Sequence, residues 1–365
     1  MKKVVFTPVY PGITNAQLLK DCGMIPYFLH KNYNMDAYML TSRREEYTYI
    51  DTYVKGLKLE YLENGSMEEK VDFIIKNGKT IDLLILFGGF ENFAVLAFNY
   101  KKVNPEGKIY LALDANSSWM DRIDFSTGLY TEFMNSCDII ATSCRAMARH
   151  LNEKWPWKIE YISNGYFNYY EKEHEINFKE KDNTILTVGR LGTAQKRTEV
   201  LLEAFALISE KVPDWNLKLI GSIDKNFEGY IEKYYSRYPH LKSRVIFTGT
   251  ITDKLELFAE YNSSKIFALP SSFEGGTPNV ISEALYNGNV VAATKFDACD
   301  DAIDGGKCGK ASEIDDVRGF AEILLDLCLD EHLEEKCLYA HDYAKRNFNM
   351  SKNVDRLYEM LFRGE

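Results

Sequence analysis

Apolar strands alternate with helical stretches along nearly the whole chain, in two series separated by a polar break. The first series has KKVVFT (2–7), the run 37–40, IDLLILFG (81–88), KIYLALD (108–114), CDIIATS (137–143) and KIEYIS (158–163) as strands bounded by turn residues, with helical periodicity over 66–77 and 91–103. The second has TILTVG (184–189), LKLIG (217–221), VIFTG (245–249), IFALP (266–270) and VVAAT (290–294). Helices are expected over 198–212, 227–238 and 254–262, at a start marked by Thr277, and from Val317 onward. Strands that alternate with helices build a parallel sheet covered on both faces, because a parallel crossover needs a helix-length connection. The expected fold class is α/β, with two Rossmann-like, doubly wound domains in tandem.

The break, NGYFNYYEKEHEINFKEK (164–181), is polar and charged, buries little by itself and reads as a linker. It places domains at 1–165 and 182–345, with a terminal helix over roughly 346–365 returning to the first. In open sheets of this kind ligands bind beyond the carboxyl ends of the strands, and two such domains put that edge in the cleft between them.

At 365 residues the chain is long enough for two ordinary cores. With 45% hydrophobic and 27% charged residues it reads as a globular protein rather than a disordered or fibrous one. A net charge of -10 argues against nucleic acid as the main partner, since a phosphate backbone demands a cationic face. No apolar run approaches the roughly 18 residues of a membrane span, and the start, MKKVVFTPVYPG, is too short and proline-broken for a signal peptide. A cytoplasmic protein is expected. Its seven cysteines are odd in number and form no CxxC pair, so reduced, mostly buried thiols are expected rather than disulfides or zinc.

Two segments carry chemistry. In FALPSSFEGGTPNVISEALYNGN (267–289), Thr277 suits a helix N-cap and Pro278 the first helical position, leaving Asn279 and Val280 to offer backbone N–H groups. Such an end favours phosphate, because unpaired donors and the positive end of the helix dipole converge there. Glu283 lies further along the same helix, free to accept from a sugar hydroxyl. The ligand implied is a nucleoside diphosphate carrying a sugar. In TVGRLGTAQKRTEVLLEAF (187–205), Gly189 and Gly192 frame a turn that presents Arg190 at a strand end, and Lys196 stands just before an N-cap at Thr198. Arg grips phosphate oxygens as a fork and Lys as a point charge, so the two suit one anion.

With these residues in place the chain resembles retaining glycosyltransferases of the GT-B fold in glycosyltransferase family 4, most strongly over 184–295 and more weakly in the first domain. The resemblance implies that Gly189, Arg190 and Lys196 hold the donor diphosphate. It gives Glu274 the donor sugar near the reacting centre and Glu283 the ribose. Gly275, Gly276, Thr277, Pro278, Asn279 and Val280 form the phosphate-facing turn and helix start, and Thr248, Gly249, Thr250 and Ile251 cradle the base. Arg190, Lys196 and Glu274 are thereby the expected catalytic residues, joined by Asp114.

The sequence departs from the family pattern in three places. Eight residues stand between the glutamates where the family usually has seven. Asp114 ends the strand where many members carry a histidine, and FDACDDAIDGGKCG (296–309) replaces a glycine-rich loop. That segment either reshapes the sugar pocket or closes a surface; its aspartates over 297–304 invite a calcium reading but lack EF-hand spacing, so a solvated loop is expected over 297–304. No two aspartates stand in an Asp-x-Asp pair, so metal independence is expected, with no cofactor beyond the donor.

The acceptor, a glycan or a lipid-linked sugar, is expected to enter from the first domain, where Gly12 in VYPGITN (9–15) allows close backbone approach. The basic, tryptophan-bearing stretch CRAMARHLNEKWPWK (144–158) has two readings: a solvated helix with packed tryptophans, which is preferred, and a peripheral foot on the inner membrane face. The expected activity is transfer from a UDP-sugar in surface polysaccharide or glycoconjugate synthesis. The rivals are a GDP-mannose-dependent transferase, a sugar-nucleotide epimerase of the same fold and a non-catalytic partner subunit.

Overall fold

The computed structural model describes residues 3–8, 13–42, 46–170 and 173–363. The chain divides into two compact units, Met1–Phe167 with Asn349–Glu365, and Asn168–Phe348. Each is a parallel sheet flanked by helices.

The first sheet contains β1 (Val4–Pro8), β2 (Asp36–Thr41), β3 (Lys58–Tyr61), β4 (Leu83–Phe87), β5 (Lys108–Leu113), β6 (Ile139–Thr142) and β7 (Ile159–Tyr161), in the order β3-β2-β1-β4-β5-β6-β7. Its central strand LLILF is apolar throughout because helices cover both faces. The helix Met67–Asn77 starts where Ser66 and Glu69 form a reciprocal capping box. The closing helix Met350–Phe362 belongs to this unit: Asp355 accepts from Asn32 and Tyr33, and Tyr358 stacks on Tyr33 at 3.6 Å.

The second sheet contains β8 (Asp182–Val188), β9 (Asn216–Ile220), β10 (Val245–Gly249), β11 (Ser264–Leu269), β12 (Val290–Thr294) and β13 (Gly309–Ser312), in the order β10-β9-β8-β11-β12-β13. The helix Thr198–Ile208 buries Leu201, Ala204, Phe205 and Ile208 against it, beside the helix Val317–Cys328. Leu201, Phe205 and Ile208 each contribute about 1.5–3 kcal/mol on leaving water.

Two strands have no counterpart in the sequence expectations. β3 (KLEY) is a mostly exposed edge strand without an apolar run. β13 (GKAS) lacks β-branched or aromatic residues and pairs closely with β12: a Cβ at Gly309 would sit 2.3 Å from the Val291 carbonyl oxygen, so glycine is what lets the strand dock. The expected solvated loop over 297–304 is corrected accordingly. It holds a helix at Cys299–Ile303 with Asp301 buried, and leads into β13.

The segment expected to bury little is also packed. Tyr166 is buried in the first unit. In the second, Tyr169 and Tyr170 meet Phe258 edge-on at 4.8 and 5.7 Å, and the Tyr170 hydroxyl donates to Asn287. Aromatic rings carry enough apolar area to dock a segment that is polar in composition. At its end, buried Lys181 donates to the carbonyls of Asn262, Ser264 and Asn287 at 2.7, 2.8 and 2.8 Å, tying three chain segments together. Burial pulls its ammonium down to about 8.

The 144–158 stretch is a helix, Arg145–Lys154, followed by packed tryptophans. Trp155 meets Phe125 at 5.3 Å, Trp157 donates to Asn135, and Lys154 and His150 both reach Asp121. No described helix is long and apolar enough to cross a membrane.

Candidate functional site

Winding in the second sheet reverses between β8 and β11: β9 and β10 extend the sheet on one side, β12 and β13 on the other. Connections from these two neighbours therefore leave toward opposite faces and open a crevice beyond their carboxyl ends. Arg190 follows β8, and the Glu274 loop follows β11. Strand order alone thus brings together two motifs separated by more than 70 positions.

Three glycines stand in line at this edge. The Gly189 amide donates to the Ile220 carbonyl, and the Gly221 amide to the Gly249 carbonyl. Gly221 has φ +141°, and a Cβ there would fall 1.8 Å from the Gly189 carbonyl oxygen. Only glycine allows the ends of β8 and β9 to approach so closely. Gly189 and Gly249 lie in recognisable motifs, but nothing local in the sequence marks Gly221, because the signal is a backbone clash across strands.

Beyond Gly189 the chain turns sharply. Gly192 (φ +80°) faces Phe227, its amide donates to the Thr198 hydroxyl, and Arg197 adopts a left-handed conformation (φ 46°). Arg197, not Thr198, is the N-cap; Thr198 is the first helical residue, its hydroxyl engaged in closing the turn. The left-handed residue sends neighbouring side chains apart. Arg197 Nη2 donates to Asp315 Oδ2 at 2.7 Å in an ion pair, whereas Lys196 turns to Glu274.

Lys196 Nζ lies 2.5 Å from Glu274 Oε1, with both side chains largely buried. The other carboxylate oxygen accepts from Gln195 Nε2 at 3.2 Å, and the Gln195 carbonyl oxygen of the side chain accepts from Arg190 at 2.8 Å. The loops are stitched by backbone as well: the Ser272 amide donates to the Gln195 carbonyl at 2.8 Å. Arg190, Lys196 and Glu274 thus form one connected cluster.

The helix after the loop is Asn279–Tyr286, and Pro278 is its N-cap in extended conformation (φ -64°, ψ 141°). The start expected at Thr277 and Pro278 is corrected by one residue. A proline biases the residue before it toward extended backbone, which moves Thr277 outside the helix. The first donor to bond back is Ile281, to the Pro278 carbonyl, so the Asn279 and Val280 amides precede the helical ladder. Two buried oxygens near this turn, Ser271 Oγ and Asn279 Oδ1, have no protein partner. Buried polar atoms are rarely left so unless a ligand or water serves them.

Glu283 accepts from the Tyr261 hydroxyl at 3.0 Å. Burial raises its carboxyl above the ordinary range, opposed by Lys254 and by the Tyr261 hydrogen bond. Tyr261 was not singled out from sequence, where it is one aromatic among many. Thr248, Gly249, Thr250 and Ile251 lie at the carboxyl end of β10, with Thr248 and Thr250 exposed.

Asp114 lies in the first unit, exposed at the carboxyl end of β5. It lines a small cavity with Asp21, Thr142, Ser143 and Asn164, and the buried Thr142 hydroxyl lacks a partner there. Burial, then the charge of Asp114, pushes the Asp21 carboxyl up to about 7. Nothing in the local sequence marked Asp21. Gly12 lies outside the described residues. No group of three or more His, Cys, Asp or Glu among the described residues is arranged to hold a metal ion.

Comparison with known proteins gives this edge a context. Residues 182–330 match the family model of glycosyl transferases group 1. An uncharacterized glycosyltransferase of Haemophilus influenzae is 26% identical over 242 residues, covering 65% of this chain and 63% of that protein. A phosphatidyl-myo-inositol mannosyltransferase of Mycobacterium leprae is 26% identical over 181 residues, 49% of this chain and 46% of its own length. The chain thus spans less than two thirds of these relatives. Among solved structures, Anabaena HepE in complex with UDP superimposes with TM-score 0.74 at 14% identity, over 99% of both chains. A lipopolysaccharide outer core galactosyltransferase, WaaB, superimposes with TM-score 0.71 at 16% identity over the full length of both. At these identities the likeness establishes the fold, which is GT-B. Residues 182–330 thus match a glycosyl transferases group 1 domain, carried on a chain of GT-B fold.

Proposed function

We propose that this protein transfers a sugar from a nucleoside diphosphate sugar, a UDP-sugar in the first instance, to a glycan or lipid-linked acceptor, with retention at the anomeric carbon and without a bound metal. The observation that carries this reading is the Arg190–Gln195–Glu274–Lys196 cluster at the switch point of the second sheet.

During transfer the acceptor hydroxyl oxygen bonds to the anomeric carbon as the bond from that carbon to the diphosphate breaks; the electron pair leaves with the phosphate oxygen, which takes up the hydroxyl proton. The largest contribution from the protein is then fixed charge aimed at that oxygen. Arg190 and Lys196 supply it, at about 1.5–3 kcal/mol per charge-assisted hydrogen bond, joined by the amides at the helix start. Glu274 accepts from the donor sugar, Glu283 from the ribose, and Thr248–Ile251 flank the base. Asp114 stands on the acceptor side.

UDP-bound HepE, also solved with UDP-glucose, favours UDP as the nucleotide. The mycobacterial relatives are mannosyltransferases by name, which keeps mannosyl transfer as the second reading. Calorimetric titration with UDP, GDP and ADP, followed by product analysis with the matching sugar nucleotides, tests both. Release of nucleotide with a new glycosidic product supports the proposal. Conversion of the sugar nucleotide to its epimer, or no turnover with any donor, overturns it.

A further inference from the structure

The reading above gives Gln195 no contact with the donor, yet it is the residue through which Arg190 and Glu274 meet. Its side-chain oxygen accepts from Arg190 at 2.8 Å, while its amide nitrogen donates to Glu274 at 3.2 Å and to the Phe273 carbonyl at 3.1 Å. Its own backbone carbonyl accepts from the Ser272 amide and hydroxyl at 2.8 and 3.3 Å. One residue on the β8 side therefore holds a side chain, two carbonyl or amide groups and the loop path on the β11 side. The residue is half-buried, close to exposed Arg190 and buried Glu274.

The chemistry of an amide suits this place. Glu274 has two oxygens, and Lys196 occupies one at 2.5 Å. A second cation at Gln195 would quench the carboxylate further and repel Arg190; a carboxylate there would repel Glu274. Among side chains of this length, only a neutral group with a donor and an acceptor at one end can satisfy an arginine and a glutamate together. Glutamine does both, and it leaves the charge of each group in place for a ligand.

We infer that Gln195 is a positioning residue for the transfer, holding the Glu274 carboxylate and the Arg190 guanidinium in the one arrangement that serves sugar and diphosphate at once. The inference rests on the proposed donor site. Gln195 acts on the reacting atoms only through its partners, so its loss lowers the rate of the chemical step more than it weakens nucleotide binding, since Arg190 keeps its charge at the turn and loses only its tether.

The experiment compares Gln195→Met, close in length but without either hydrogen bond, with Glu274→Gln and with the double variant, using the full-length chain and the UDP-sugar that the wild type turns over. Gln195→Met is expected to lower kcat about tenfold to a hundredfold, the cost of a small misplacement of reacting groups. The dissociation constant of UDP should stay within about threefold and thermal unfolding should remain cooperative. In the double variant Gln195→Met should cause a smaller loss on top of Glu274→Gln than it causes alone, because its effect through the carboxylate is already spent and only that through Arg190 is left. Wild-type kcat in Gln195→Met, or a full additional loss on the Glu274→Gln background, overturns the inference while leaving the donor site standing. A wild-type chain that consumes no nucleotide sugar removes the proposed function, and this inference with it.

Discussion

Lys196 Nζ and Glu274 Oε1 are 2.5 Å apart, joining the turn after β8 to the loop after β11. Both side chains are mostly removed from water, so the pair is a fixed part of the site rather than a surface contact whose energy solvent would screen. In the proposed function this pair sets the cation for the leaving phosphate beside the carboxylate for the sugar.

Lys196→Ala should lower turnover by at least about a hundredfold, the usual cost of removing one fixed stabiliser of developing charge. Steady-state release of UDP from a UDP-sugar measures it. Turnover equal to wild type would refute the assignment of Lys196.

Gly221→Ala should strongly destabilise the second unit and abolish nucleotide binding, since the added carbon would strike the Gly189 carbonyl oxygen and displace Arg190 beyond it. Gly249→Ala is the control. Its Cβ meets nothing within 4 Å, so it carries only the cost of φ +77°, about 1–2 kcal/mol. Denaturant midpoints for the two variants should differ clearly; equal midpoints would show that the close approach is not there.

Tyr261→Phe should weaken donor binding by up to about tenfold with little change in kcat. The hydroxyl is one of two influences keeping Glu283 ionised against burial, and without it the carboxyl takes up a proton more readily. A donor KM that rises more steeply below neutral pH than that of wild type is the expected signature. An unchanged KM across pH would separate Glu283 from ribose binding.

His174 and His341 set an acid limit to stability. Burial is the main cause that depresses both below the ordinary 6.5, outweighing an opposing hydrogen bond to each ring: His174 to Asn262 Oδ1 at 3.0 Å, and His341 to the Tyr286 carbonyl. Between the depressed folded values and 6.5 the unfolded chain binds more protons than the folded one. Stability therefore rises with pH across that window and is lost as pH falls through it. His341→Gln should flatten this acid limb in urea titrations at stepped pH, and a limb of the same slope would exclude His341 as its source.

Much of this was legible in the sequence because the signals are local. Runs such as LLILF and VVAAT are apolar throughout because both faces of their sheets are covered, and they mark the alternation of strand and helix directly. Arg190, Lys196, Glu274 and Glu283 stand at fixed offsets from strand ends and a helix start, so their motifs are visible without coordinates. The helix start was misplaced by one residue because Thr277 and Pro278 suit two adjacent registers, and only the backbone path chooses between them.

What tertiary structure alone decided is contact between segments distant in the chain. Gln195 became the link between Arg190 and Glu274 because β8 and β11 are neighbours in the sheet, a pairing no short window contains. Gly221 is required by a carbonyl on another strand, and Tyr261 by a carboxylate on another helix. Sequence determines which groups a chain can offer, through periodicity, capping and charge. Strand order determines which of them meet, because hydrogen bonds and ion pairs act over a few ångströms and are indifferent to separation along the chain.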